Sequence, residues 1–147
     1  NNFILIEGPL LAAQKKKIEA HAGRVEEHTL PKTEKFNAFA LTDAFCERDK
    51  KKMWLLIREG ESEGVTSEQS IGLLLWQIKI LRLVEKTKSA EESGQKPFVY
   101  TKAKRALGNF KKGELETLSR DLLKIYHDGH LGKQDIGFAL ERWVLKL

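Results

Sequence analysis

His127-Asp128-Gly129-His130 is the one close histidine pair in the sequence, and two histidines three residues apart can share a metal ion. Gly129 and the helix end expected there blur that geometry, and a solvated helix C-terminus also suits histidine. Cys46 is the only thiol. It has no histidine nearby in sequence and lies beside an apolar stripe, which reads as a buried, inert cysteine rather than a nucleophile. The carboxylates are scattered among lysines, and no isolated pair is placed for acid–base work. Gly-x-x-x-x-Gly-Lys-Ser/Thr and Gly-x-Ser-x-Gly are both absent. The expectation is therefore a chain without intrinsic catalysis, without a metal or other cofactor, and without ATP hydrolysis or micromolar ATP binding.

Charge provides the other signal. The segment Lys96 to Lys112 holds Lys96, Lys102, Lys104, Arg105, Lys111 and Lys112, no acid, and the aromatics Phe98, Tyr100 and Phe110. Cations between aromatic rings suit a nucleic-acid backbone and its bases. The plainer alternative is a solvated helix face with Phe98 and Phe110 in the core. Lys79, Arg82 and Lys86, spaced by three and four residues, share one helix face. They could meet DNA or the acids of a neighbouring subunit. Net charge is +5 over 147 residues, which fits a nucleic-acid-associated protein without requiring one. A single cysteine points to a reducing compartment, and the cytoplasm is expected. No apolar run reaches the ~20 residues of a membrane-spanning helix, so no membrane partner is expected.

The elements that must position these residues change character at Pro31. Phe3 to Glu7 reads as a short strand, Leu10 to His21 as a helix, and Val25 to Leu30 as a weaker strand. Together they form one βαβ-like unit. The chain opens on Asn1-Asn2 without a Met or a signal-peptide pattern, which reads as a fragment whose N-terminal part is missing. Beyond Pro31 the apolar spacing is helical throughout. Helices are expected over Phe36–Glu47, Lys50–Glu59, Ser67–Lys88, Phe98–Leu107, Lys111–His127 and Gln134–Leu147, with breaks at Gly60, Gly64, Gly129 and Gly132. Thr66 and Gln69 have capping-box spacing. The helix they open carries two apolar stripes. One is Ile71, Leu74, Leu75, Ile78 and Leu81; the other is Leu73, Trp76, Ile80 and Leu83. Such a helix should be surrounded by others, with Trp76 buried and its loss costing about 3–5 kcal/mol. The expected fold is mostly α: residues 1–33 as a βαβ remnant and 34–147 as a domain of about six helices.

Several segments, taken in order, resemble one family. Phe36-Asn-Ala-Phe-Ala-Leu-Thr-Asp-Ala-Phe45 followed by Arg48-Asp-Lys-Lys-Lys-Met-Trp54 is similar to the start of the C-terminal domain of the delta subunit of the bacterial DNA polymerase III clamp loader. Gly72-Leu-Leu-Leu-Trp-Gln-Ile-Lys79 resembles that domain's central helix. Lys96-Pro-Phe-Val-Tyr-Thr-Lys-Ala-Lys104, Tyr126-His-Asp128 and Gly137-Phe-Ala-Leu-Glu-Arg-Trp-Val144 follow in matching order. The resemblance covers Phe36 to Leu147 and, loosely, the βαβ unit. It implies the end of an AAA+-type module over residues 1–33, then a helical collar domain. Leu30-Pro31 leads to Phe36 within a few residues, as in short delta-like proteins lacking a separate lid.

The resemblance further implies a non-catalytic subunit of a DNA-directed DNA polymerase holoenzyme, a nucleotidyltransferase complex, taking part in sliding-clamp loading during replication. Its partners would be the other clamp-loader subunits, the sliding clamp through the missing N-terminal part, and DNA, weakly and non-specifically. Lys79, Arg82, Lys86, Lys102, Lys104 and Arg105 are the candidate DNA or subunit contacts. The alternatives are a free-standing basic helical DNA-binding domain using Lys96 to Lys112, and an enzyme whose active site lay upstream.

Overall fold

Short polar side chains set most helix starts. Asn37 Oδ1 accepts the backbone N–H groups of Phe39 and Ala40 at 3.1 and 3.2 Å. Asp49 Oδ1 accepts from Lys52 N at 2.9 Å, and Asp135 Oδ1 from Phe138 N at 2.9 Å. Thr66 and Gln69 close the expected capping box: Gln69 N donates to Thr66 Oγ1 and Thr66 N to Gln69 Oε1. Each cap satisfies a donor that the helix itself leaves open.

A computed structural model describes residues 11–26 and 36–147, and the chain divides into two compact units, Asn1–Glu34 and Lys35–Leu147. In the first unit α1 spans Ala12–Glu19 and buries none of its residues. Lys16 and Lys17 lie in its last turn, where cations suit the helix dipole. The strand expected over Phe3–Glu7 lies outside the described residues. Of the strand expected over Val25–Leu30, only Val25 and Glu26 are described, and both are irregular. Val25 is 47% exposed, without the buried face that favours a strand. No strand occurs among the described residues, so the βαβ remnant gains no support.

The second unit is helical. It contains α2 (Ala38–Cys46), α3 (Lys50–Ser62), α4 (Ser67–Lys86), α5 (Ala90–Ser93), α6 (Pro97–Ala106), α7 (Glu114–His130) and α8 (Ile136–Lys146), with a 3-10 turn at Leu107–Asn109. The four-residue α5 falls between two of the expected helices; Ser89 caps it and Gly94, in the left-handed region at φ 65°, ends it. Two glycines expected to break helices lie inside them. Gly60 stays within α3 because the Phe36 ring occupies the place of a side chain: a Cβ there would be 2.9 Å from two ring carbons. Gly129 stays within α7 because the Ile136 side chain packs onto it in the same way. The helices end after these notches, at Gly64 and Gly132, which have φ of 88° and 69°.

Helix α4 is the central element and packs against α2, α3, α5, α6, α7 and α8. It buries Ile71, Leu74, Ile78, Ile80, Leu81 and Val84, each contributing about 1.5–3 kcal/mol of hydrophobic stabilisation. One of its two expected apolar stripes departs from the sequence reading. Trp76 is 49% exposed, and Leu73 and Leu83 are only partly covered. The reason is the placement of the flanking helices. The Tyr100 hydroxyl of α6 donates to Thr87 O on one side, and Arg82 meets Glu116 of α7 on the other. Gly72, Trp76, Lys79 and Lys86 lie on the arc between, which no helix of this unit covers.

Side-chain ties fix the remaining helices. Glu141 of α8 accepts from Trp54 Nε1 at 3.3 Å and pairs with Arg58 at 3.0 Å, both on α3. Phe45 of α2 stacks near Trp143 of α8 and Phe110, with ring centroids 6.3 and 5.3 Å away. Arg48, in the left-handed region at φ 61°, turns the chain between α2 and α3. Its guanidinium pairs with Glu114 and lies over the Phe110 ring. Among the described residues no helix is long and apolar enough to cross a membrane.

Candidate functional site

The thiol and the histidines end up far from chemistry. Cys46 is buried at the end of α2, and burial pushes its thiol up to about 11, although Gln77 Nε2 donates to Sγ at 3.2 Å and works against this rise. Such a thiol is a poor nucleophile at neutral pH. His127 and His130 are exposed at the end of α7. His130 Nδ1 lies 2.9 Å from Tyr126 O, and its ring sits 4.2 Å from the Tyr126 ring. Among the described residues no three His, Cys, Asp or Glu side chains gather as a metal site would need. Asp128, between the histidines, faces cations instead. Lys124 at 2.6 Å and Lys133 at 3.4 Å hold its carboxyl below the usual range, Lys124 more strongly.

The basic residues divide into two surfaces. On α6, Ala103 and Ala106 face the core. Lys102 pairs with Asp43 of α2 at 2.6 Å, and Lys104 and Arg105 are exposed. The aromatics of this segment are also divided. Phe98 is 76% exposed, whereas Tyr100 and Phe110 are half-buried and engaged with Thr87 O and Phe45. Of the expected interleaved patch, Lys96, Phe98, Lys104, Arg105, Lys111 and Lys112 are exposed, while Lys102 is paired and Tyr100 and Phe110 are half-buried. The plainer alternative also needs correcting, because Phe98 is outside the core.

On α4 the stripe is more coherent. Lys79 and Lys86 are exposed and have no ion-pair partner among the described residues; Arg82 meets Glu116 at 4.0 Å. Trp76 lies one turn from Lys79 on the same outer arc. Sequence reasoning placed this tryptophan in the core and so missed it as a surface residue. The signal was present in the spacing: Gly72, Trp76, Lys79 and Lys86 recur at four, three and seven residues. Trp76 thus shares a face with a glycine and two lysines.

A groove of about 300 Å³ runs between α7 and α8, lined by Asp121, Lys124, Asp128, Arg142, Trp143 and Lys146 among others. It is shallow and its charges are mixed. Compared with family models, curated proteins and solved structures, the chain matches none.

Proposed function

We propose that this chain is a non-catalytic assembly subunit of the clamp-loader delta type, whose helical unit holds it among other subunits during sliding-clamp loading. The observation that carries this reading is the outer arc of α4. A central helix turns Trp76, 49% exposed, outward beside Lys79 and Lys86. Leaving a large aromatic half in water forgoes about 1 kcal/mol or more of burial, which a partner surface would recover. The ordered series of delta-like segments from Phe36 to Val144 supports the same reading, and the segment containing Trp76 belongs to that series. In this reading the chain works in the cytoplasm as part of a polymerase holoenzyme. In the same reading DNA is met weakly and without sequence preference.

In the rival reading, a free-standing DNA-binding domain, Lys102 is paired with Asp43 while Lys96, Lys104, Arg105, Lys111 and Lys112 stay exposed. A fluorescence-anisotropy titration with DNA over a salt series, paired with a pull-down of clamp-loader subunits, separates the two. The assembly reading expects DNA affinity of about 10⁻⁴–10⁻⁶ M near physiological salt and a stable protein complex. Nanomolar, sequence-selective DNA binding with an empty pull-down would overturn it.

A further inference from the structure

Helix α4 presents one outward arc whose residues follow a coiled-coil rhythm. At about 100° per residue, Glu68, Gly72, Trp76, Lys79, Leu83 and Lys86 fall within an arc of about 80°. All six are exposed or half-buried. The last five are spaced four, three, four and three residues apart, the spacing by which one helix seats another along its length. Trp76 is 49% exposed. Gly72 leaves a dent, since a Cβ placed there meets nothing within 4 Å. Lys79 and Lys86 have no ion-pair partner among the described residues. The Glu68 carboxyl is held below its usual range by its own backbone N–H and by Thr66, so it is charged at neutral pH. Read from its two ends toward the middle, the arc matches complementary residues. Glu68 answers Lys86, acid to base; Gly72 answers Leu83, small to large; Trp76 answers Lys79, ring to cation.

We propose that this arc docks on the same arc of a second copy of the chain, with the two α4 helices antiparallel about a two-fold axis level with Gln77 and Ile78. Each matched pair then forms twice, once on either side of the axis. Lys79 of one copy lies against the indole face of Trp76 of the other, a cation–π contact. Leu83 enters the dent at Gly72, as a knob enters a hole, and Lys86 meets Glu68. Other occupants satisfy less of the arc. A parallel pair sets Lys79 against Lys79 and Lys86 against Lys86. A uniformly acidic helix of another protein satisfies the lysines but opposes Glu68, and nucleic-acid phosphates do the same. The inference goes beyond the assembly reading, because it concerns the free chain. An arc about 27 Å long is a small interface, so the copies associate weakly and give way to a larger subunit surface.

The test is sedimentation equilibrium of the full chain alone, joined to carbodiimide cross-linking. The weight-average mass should rise with concentration toward twice 16.8 kDa. Trp76→Glu should weaken dimerisation at least tenfold. Phe138→Glu, which changes a more exposed aromatic on α8, should leave it within twofold. Lys86→Glu and Glu68→Lys should each weaken it, and the two together should restore it. Cross-linking of the unsubstituted chain makes the test independent of variant folding. Glu68 and Lys86 stand about 27 Å apart along one α4, too far for a direct amide, so a Glu68–Lys86 cross-link joins two copies. A chain that stays monomeric at its highest soluble concentration overturns the proposal. So does a dimer that lacks this cross-link or ignores Trp76→Glu. Binding to clamp-loader subunits is measured separately. A monomeric chain that binds them sinks this inference alone; a cross-linked dimer that binds none sinks the assembly reading alone.

Discussion

Trp76 and Leu81 are five positions apart on the same helix, yet their substitutions should differ several-fold in cost. Leu81 is fully buried, and Leu81→Ala should cost about 2–5 kcal/mol through lost transfer energy and the cavity left behind. Trp76→Ala removes a half-exposed ring and should cost under about 1 kcal/mol. Urea denaturation of both variants checks the pair; a Trp76 cost equal to that of Leu81 would return the indole to the core. Cys46 gives a second prediction. With its thiol pushed up to about 11 by burial, roughly a thousandth is ionised at pH 8, so thiol reagents should label the native chain slowly and the unfolded chain at once. The unfolded thiol loses its proton near 9.0, the folded one near 11. Between those values the unfolded state binds fewer protons, so this contribution is complete below pH 9 and fades as pH rises to 11. Cys46→Ala should show a shallower fall in stability across that window. The sequence alone conveyed the inertness of this thiol, through its apolar setting. It could not convey the exposure of Trp76, because apolar spacing locates faces on a helix and not the helices that cover them.

At the scale of the element, glycine divides into turns and notches. A helical Gly→Ala change ordinarily stabilises by about 1 kcal/mol. Gly129→Ala should instead destabilise, because the new methyl would overlap Ile136, the first residue of α8. Gly72→Ala, with open space around it, should follow the ordinary rule and raise the melting temperature. Calorimetry of the two variants reads the contrast directly. Most helices after Pro31 were legible because capping residues and apolar spacing are local: Asn37, Asp49, Thr66 and Asp135 each act within three residues. The passage of α3 and α7 through Gly60 and Gly129 was not legible, since it depends on Phe36 and Ile136 lying against them. The same limit applies to Lys102, whose partner Asp43 lies on another helix.

At the scale of the whole molecule, the helical unit buries one core around α4 and leaves large apolar side chains outside it, among them Phe39, Trp76, Phe98 and Phe138. Scattered singly, such residues are ordinary; Trp76 is set apart by sharing the outer arc of α4 with Lys79 and Lys86. On the proposed assembly reading, the exposed lysines would raise encounter rates with an acidic partner and make assembly salt-dependent. The account stands or falls on whether that partner is a clamp loader. Native mass spectrometry of the purified clamp-loader subunits mixed with this chain is the most direct measurement. The account predicts a single assembly containing one copy of the 16.8 kDa chain. Complete assembly of the other subunits, with the chain left free at its own mass, would contradict it.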